Sequence, residues 1–334
     1  MADDLFSVGQ ALDDADTVLR SGHRAASPAV PTGFDLLDTY LGGGLRGGEL
    51  CLLGGPQGLG KTAFVLQVAR QAATAGEAAV VMSYEHDATT LLERLITIEA
   101  GDVFGPDGAP LRRVRDALEG GGPRRASLAE RMDAGTGGAA AVAALREYGD
   151  RLLLHRSSGA VTGVTEIRAV VAAAIARSGR RPVLIVDYLQ KVPVPGRPAD
   201  AERIAEVVAG LKDLALEFDV PVLAVAAADQ TGLVAGRRLR VGHLQGPSTL
   251  AYEPDVILIM NEKVDVVARH HLMYDTRAVD RFREYVVLSI EKNRSGLAKI
   301  DLQLRKRLEQ SRFERDADLV PEDLVDERMA PDNA

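Results

Sequence analysis

At 334 residues, with 46% hydrophobic and 26% charged residues, the chain has a globular composition and enough length for one large core or two small ones. Its 48 acidic against 40 basic residues (net charge -8) argue against coating nucleic acid through bulk positive charge, and 4% aromatics without Trp argue against a broad base-stacking platform. A single cysteine, Cys51, excludes an internal disulfide or multi-thiolate metal site, while the lack of a long apolar run or of a secretory start on MADDLFSVGQ points to a cytoplasmic protein with no membrane contact.

In chain order, Leu5, Val8, Leu12, Ala15 and Leu19 fall at spacings of three and four, which predicts a short helix with one apolar stripe before a loose strip from Ser21 to Pro31. An isolated helix cannot bury that stripe alone, so it docks on its own domain or on a neighbouring subunit. From residue 49 onward, short apolar runs alternate with helical patterns, as in βαβ units. Strands are expected at Glu49–Gly54, Ala79–Tyr84, Arg151–His155, Val183–Asp187, Val222–Ala226, Val256–Met260, Tyr285–Glu291 and Ile300–Leu304. Helices are expected at Lys61–Ala75, Thr89–Ala100, Val164–Arg177 and Glu202–Phe218. The fold class is therefore α/β: a mostly parallel sheet flanked by helices, with the last two strands, which no helix separates, as an antiparallel extension. Gly- and Pro-rich stretches and a Ser127-x-x-Glu130 capping box mark 102–147 as a helical and loop insertion.

The chemistry concentrates first in Gly55-Pro56-Gln57-Gly58-Leu59-Gly60-Lys61-Thr62, a G-x-x-x-x-G-K-T string between a predicted strand and a predicted helix. Glycines let backbone N–H groups approach phosphates, Lys61 reaches the terminal phosphates, and Thr62 offers a hydroxyl to Mg²⁺. An ordinary glycine-rich turn shares the glycines but not the full string in that context. Asp187, ending the apolar strand Leu184-Ile185-Val186, is the candidate metal-side carboxylate, although an Asp there can also cap a turn. Glu85, ending the run Val80–Tyr84 on a strand expected beside the P-loop strand, is the candidate base that orients an attacking water. ATP is the default nucleotide.

The strings Pro31-Thr32-Gly33-Phe34-Asp35-Leu36-Leu37-Asp38, the P-loop, Ser83-Tyr84-Glu85-His86 with Leu92-Glu93-Arg94-Leu95, and Asp187-Tyr188-Leu189-Gln190 together resemble the RecA-like motor domain of DnaB-type replicative helicases. The similarity runs from about Val30 to Phe313, and VDYLQ is its most diagnostic piece. The resemblance implies a RecA-like P-loop ATPase core that forms hexameric rings, hydrolyses ATP with Mg²⁺ at subunit interfaces and moves along single-stranded DNA, with Glu85 as base and Asp187 as the Walker B residue. It further implies that Lys292-Asn293-Arg294-Ser295-Gly296, matching the family's K-x-R-x-G, delivers Arg294 as an arginine finger and Lys292 as its companion to the adjacent subunit. KNRSG is also similar to the related motor RadA. The division that follows is a linker helix and loop over 1–29, the ATPase domain over 30–313, and an acidic tail over 314–334.

Three departures bear on function. The family's helical N-terminal domain has no counterpart before Pro31, and the segment with the apolar stripe is what the resemblance reads as the linker helix lent to a neighbour. Where the family carries Ser-Gln-Leu, whose Gln senses the terminal phosphate, this chain has Ala226-Ala227-Ala228, and an alanine side chain cannot hydrogen-bond; Gln230 is the nearest substitute along the chain. The family's charged pair is lost in Leu244-Gln245-Gly246-Pro247, while Arg237, Arg238 and Arg240 cluster where a pore loop would hang. Alone, three arginines read as a solvated loop; repeated around a ring, they read as DNA contacts. The net charge and the alanines keep a second reading open, a RecA-type ATPase that regulates or assembles a protein partner. His270 and His271 are adjacent and cannot face one metal, and Arg305-Lys306-Arg307 is expected to be a solvated strand end.

Overall fold

β1 (Leu50–Gly55) is buried along its whole length because its side chains alternate between two separate cores. Cys51 and Leu53 face a core built with α3 (Lys61–Thr74), and Leu50 and Leu52 face one built with α8 (Val164–Ser178) and α9 (Asp200–Phe218). A strand covered on both faces reads as a continuous apolar run, and removing such a Leu from water is worth about 1.5–3 kcal/mol. The computed structural model describes residues 7–22, 28–120, 125–132, 134–196, 199–229, 237–268, 276–321 and 324.

The remaining elements are α1 (Val8–Arg20), α2 (Asp35–Tyr40), β2 (Ala78–Ser83), α4 (Ala88–Phe104), α5 (Leu111–Leu118), α6 (Leu128–Arg131), α7 (Gly138–Tyr148), β3 (Leu152–Arg156), β4 (Pro182–Asp187), β5 (Val222–Ala227), β6 (Val256–Glu262), β7 (Tyr285–Asn293), β8 (Ile300–Arg307), β9 (Arg312–Phe313) and β10 (Asp318–Leu319). Among the described residues the strands form one sheet in the order β10-β8-β7-β6-β1-β5-β4-β2-β3, with β9 on β8. β3, β2, β4, β5, β1 and β6 pair in parallel in that order, and β7, β8 and β10 extend the sheet beyond β6 by antiparallel pairing. This is the expected α/β architecture with its antiparallel extension. The C-terminal ends of β1, β2, β4 and β5 consequently share one edge, where loops carry the P-loop, Glu85, Asp187 and the alanines.

One expected neighbour is wrong. β2, which leads to Glu85, does not lie beside β1; β4 and β5 intervene. Strand order is set by crossover connections rather than by anything local to either strand.

The string Pro31–Asp38 closes on itself, with Thr32 N donating to Asp38 Oδ1 at 2.8 Å, and seats Phe34 in a stack on Phe64 of α3 at 4.8 Å. Helices α5 to α7 pack on α4 through Ile96, Ala100, Val114 and Val142, and the Ser127–Glu130 capping box is formed. The run Arg305-Lys306-Arg307 is not a solvated end. It continues β8, and each cation meets a carboxylate: Glu284, Glu262 and Glu314 respectively. α1 is capped by Ser7, but none of its residues is buried; Val8, Leu12 and Leu19 are 79%, 64% and 57% exposed, so its stripe finds no cover on its own protomer among the described residues. Leu5 lies outside those residues.

Candidate active site

The P-loop turns off the end of β1 and enters α3 through Gly60, which has φ +92° and whose missing Cβ would lie 2.8 Å from Leu308 and Phe313. Only glycine meets both demands. Helix α3 thus points its free N–H groups and the positive end of its dipole into a cavity of about 610 Å³. Gly55, Gln57, Gly58, Gly60, Lys61 and Thr62 contribute to its wall, together with Glu85 and Asp187; Leu59 is buried in the core behind it, and Pro56 adds a carbonyl.

Lys61 Nζ donates to the carbonyls of Gly55 and Pro56, each at 2.7 Å. Burial pushes the ammonium down to about 8, with Asp187 and Glu85 pulling it back up. Asp187 is 2% exposed and accepts from Thr62 Oγ1 at 2.8 Å. Burial raises its carboxyl above the usual range, partly opposed by the Thr62 bond. A hydroxyl and a buried carboxylate in contact at the foot of a phosphate loop form the donor set that a hydrated Mg²⁺ takes, and such a cation would favour the charged form of Asp187. Register places Ser83 beside Asp187, and Tyr84 N donates to the Asp187 carbonyl at 2.8 Å, so the loop after β2 carries Glu85 to the same cavity despite the intervening strands. Glu85 is 3.5 Å from Lys191 and partly exposed.

Arg294 and Lys292 are elsewhere. β7 runs against β6, so its last residues lie at the start of the parallel strands: Arg294 N donates to Asp255 O at 3.0 Å, and Asp255 N to Leu50 O at 2.9 Å. From Leu50 to the P-loop is the full length of β1, roughly 16 Å at 3.3 Å per residue. Arg294 Nη2 donates to the Tyr252 carbonyl at 2.7 Å and remains 53% exposed, and Lys292 Nζ donates to the carbonyls of Ala251 and Tyr252. Neither reaches the cavity of its own protomer.

The three arginines expected at a pore do not form a bare basic cluster. Arg238 is half-buried and paired with Asp301 while donating to Ser289 Oγ at 3.0 Å; Arg240 pairs with Glu291 at 2.7 Å. Arg237 is exposed. Gln230, His270 and His271 lie outside the described residues, among which no group of three or more metal-ligating side chains forms.

Arg94 and Gln245 are among the cavity residues to which the sequence assigns no role. Arg94, from α4, lines the cavity with a buried Nε that has no hydrogen-bond partner among the described residues, and burial lowers its guanidinium below the ordinary value. The signal was its place in Leu92-Glu93-Arg94-Leu95, but an arginine on a helix is ordinarily a surface residue. Gln245 lines the cavity beside Ala227 and Ala228.

The model of the DnaB-like helicase C-terminal domain matches residues 29–103 and 142–315. The chain belongs to this family. The unmatched stretch 104–141 holds α5, α6 and the start of α7. This DnaB-like chain is 28% identical over 184 residues to the DNA repair protein RadA of Mycobacterium tuberculosis, covering 53% of this chain and 35% of that one. It is 28% identical over 255 residues to the replicative DNA helicase DnaB of Rhodothermus marinus, covering 73% of this chain and 24% of the relative. The chain thus spans about a third or less of the length of these relatives. A solved DnaB-like replicative helicase, described with its primase interactions, superposes with a TM-score of 0.70 at 19% identity, over 92% of this chain and 68% of that one, and shares the RecA-like fold. Among the described residues no helix is long and apolar enough to cross a membrane.

Proposed function

We propose that this DnaB-like chain hydrolyses ATP at the contact between two copies, assembling as a hexameric ring or a helical filament, and acts on single-stranded DNA. Lys61 and the first-turn N–H groups of α3 hold the β- and γ-phosphates; Thr62 and Asp187 hold Mg²⁺, which when bound neutralises charge on the phosphate oxygens. Glu85 orients the attacking water and accepts its proton as the bond to the bridging oxygen breaks and ADP leaves. Arg294 of a neighbouring copy, with Lys292, offsets the charge that develops on the transferring group. The exposed stripe of α1 supplies a second, apolar contact between copies.

One observation carries this reading: the phosphate loop and Arg294 occupy opposite ends of β1 within one protomer, an arrangement that serves a shared site only when copies stack head to tail. Arg294→Ala should keep nucleotide binding and assembly while hydrolysis falls about 10³-fold or more, and in mixtures with wild type the loss should exceed simple dilution. Activity declining only in proportion to the mutant fraction overturns the shared site.

Action on DNA rests on family membership and on Arg237, since Arg238 and Arg240 are already paired. Hydrolysis should be stimulated by an oligonucleotide, with a shallow salt dependence. The pairing of those two arginines favours a second reading, an ATPase acting on a protein partner; unstimulated hydrolysis and no DNA binding at low salt would select it.

A further inference from the structure

The end of β5 offers the cavity only methyl groups, yet it stands directly beside the phosphate loop, with Ala227 in register with Gly55. The segment 243–245 returns antiparallel to this strand end. Asp229 N donates to His243 O at 2.9 Å, Ala228 bridges Leu244, and Gln245 N donates to Ala227 O at 2.8 Å. Leu244 is buried and fills the space over Gly54 that a Cβ there would need. Gln190, 7% exposed, ties both pieces together: its Oε1 accepts from Ala227 N and its Nε2 donates to Gln245 O, each at 3.0 Å.

The backbone of Gln245 is therefore fixed beside Gly54 and Gly55, while the residue is exposed and lines the cavity, and its side chain makes no hydrogen bond among the described residues. The Lys61 ammonium, on the Gly55 and Pro56 carbonyls, flanks the same start of the loop. A primary amide there can donate to a phosphate oxygen, a charge-assisted bond that costs no buried charge when the oxygen is missing.

We propose that Gln245 donates to the terminal phosphate in place of the alanines and so distinguishes a nucleoside triphosphate from a diphosphate, with Gln190 as its positioning residue. This rests on the reading that the P-loop holds the triphosphate. A donor that touches only the third phosphate leaves diphosphate binding alone and weakens triphosphate binding when removed.

The test is the affinity of the full chain, with Mg²⁺, for ADP and for a nonhydrolysable ATP analogue, in wild type, Gln245→Ala, Gln245→Glu and Lys61→Ala. Gln245→Ala should lose roughly tenfold to a hundredfold for the analogue and keep ADP affinity within about twofold. Gln245→Glu, of equal size but bringing negative charge to the phosphate, should widen the gap. Unchanged or equal losses for the two nucleotides, with Lys61→Ala abolishing both, overturn the role of Gln245 alone. Lys61→Ala binding both nucleotides like wild type overturns the P-loop reading and this inference with it.

Discussion

The two ends of the central sheet treat charge in opposite ways. At the C-terminal end, Lys61 is pushed down, Asp187 is pushed up and the buried Arg94 Nε has no partner among the described residues, all three residues lining the cavity. At the N-terminal end the buried carboxylate is answered: Asp255, 6% exposed, accepts from Leu50 N and Lys212 Nζ at 2.8 and 2.7 Å and lies 3.6 Å from Arg294, although burial and Arg294 push the nearby Lys292 ammonium down. Perturbed, underpaired groups around a cavity mark a place prepared for a charged ligand, whereas saturated ones mark a place prepared to hold shape. Arg294 belongs to the second kind, held by Tyr252 and Asp255 yet 53% exposed, which is what the proposed role toward a neighbour requires.

The contrast can be broken most severely at the C-terminal end. Glu85→Gln, which keeps size and removes the proposed base, should lower turnover by about 10²–10⁴-fold with nucleotide affinity retained, read by single-turnover hydrolysis; a loss under tenfold would assign the base elsewhere. At the other end, Asp255→Ala should act on stability instead. Removing the acceptor of a buried pair costs about 3–5 kcal/mol, visible as a lowered denaturation midpoint, and should be accompanied by misplacement of Arg294. An unchanged midpoint would show that the N-terminal network is ornamental.

The smallest effect is graded with pH. Because burial depresses Lys61 to about 8 from 10.5, its charge in the nucleotide-free protein is lost as pH rises through 8. Phosphate affinity should be flat below that value and fall toward about tenfold per unit above it. The linkage sign is the reverse for folding: between about 8 and 10.5 the unfolded chain binds the proton and the folded one does not, so the nucleotide-free fold gains stability with rising pH. Affinity independent of pH up to 10 would place the Lys61 ammonium in water.

What was legible in the sequence is what depends on short spacing. The phosphate loop, the strand ending in Asp187 and the strand leading to Glu85 are each local patterns, and their chemistry constrains residue types a few positions apart. The neighbour of β2 was not legible because adjacency follows from how crossovers place whole strands. Likewise, Arg238 and the run 305–307 look like free charge in sequence, and only the sheet brings Asp301, Glu284, Glu262 and Glu314 to them. Gln245 escaped for a related reason: it reaches the cavity through a backbone pairing with Ala227, eighteen positions earlier (245 minus 227), that no periodicity announces.

The separation of the phosphate loop from Arg294 carries an arithmetic of its own. If Arg294 completes its neighbour's site as proposed, the terminal copy of a linear stack would hold a nucleotide that no guanidinium attends, and the number of competent centres would be one fewer than the number of chains; closure into a circle would recover the missing one. Turnover per chain should climb as short stacks lengthen and reach its ceiling at the moment the ends meet, which makes a rate measurement a gauge of geometry.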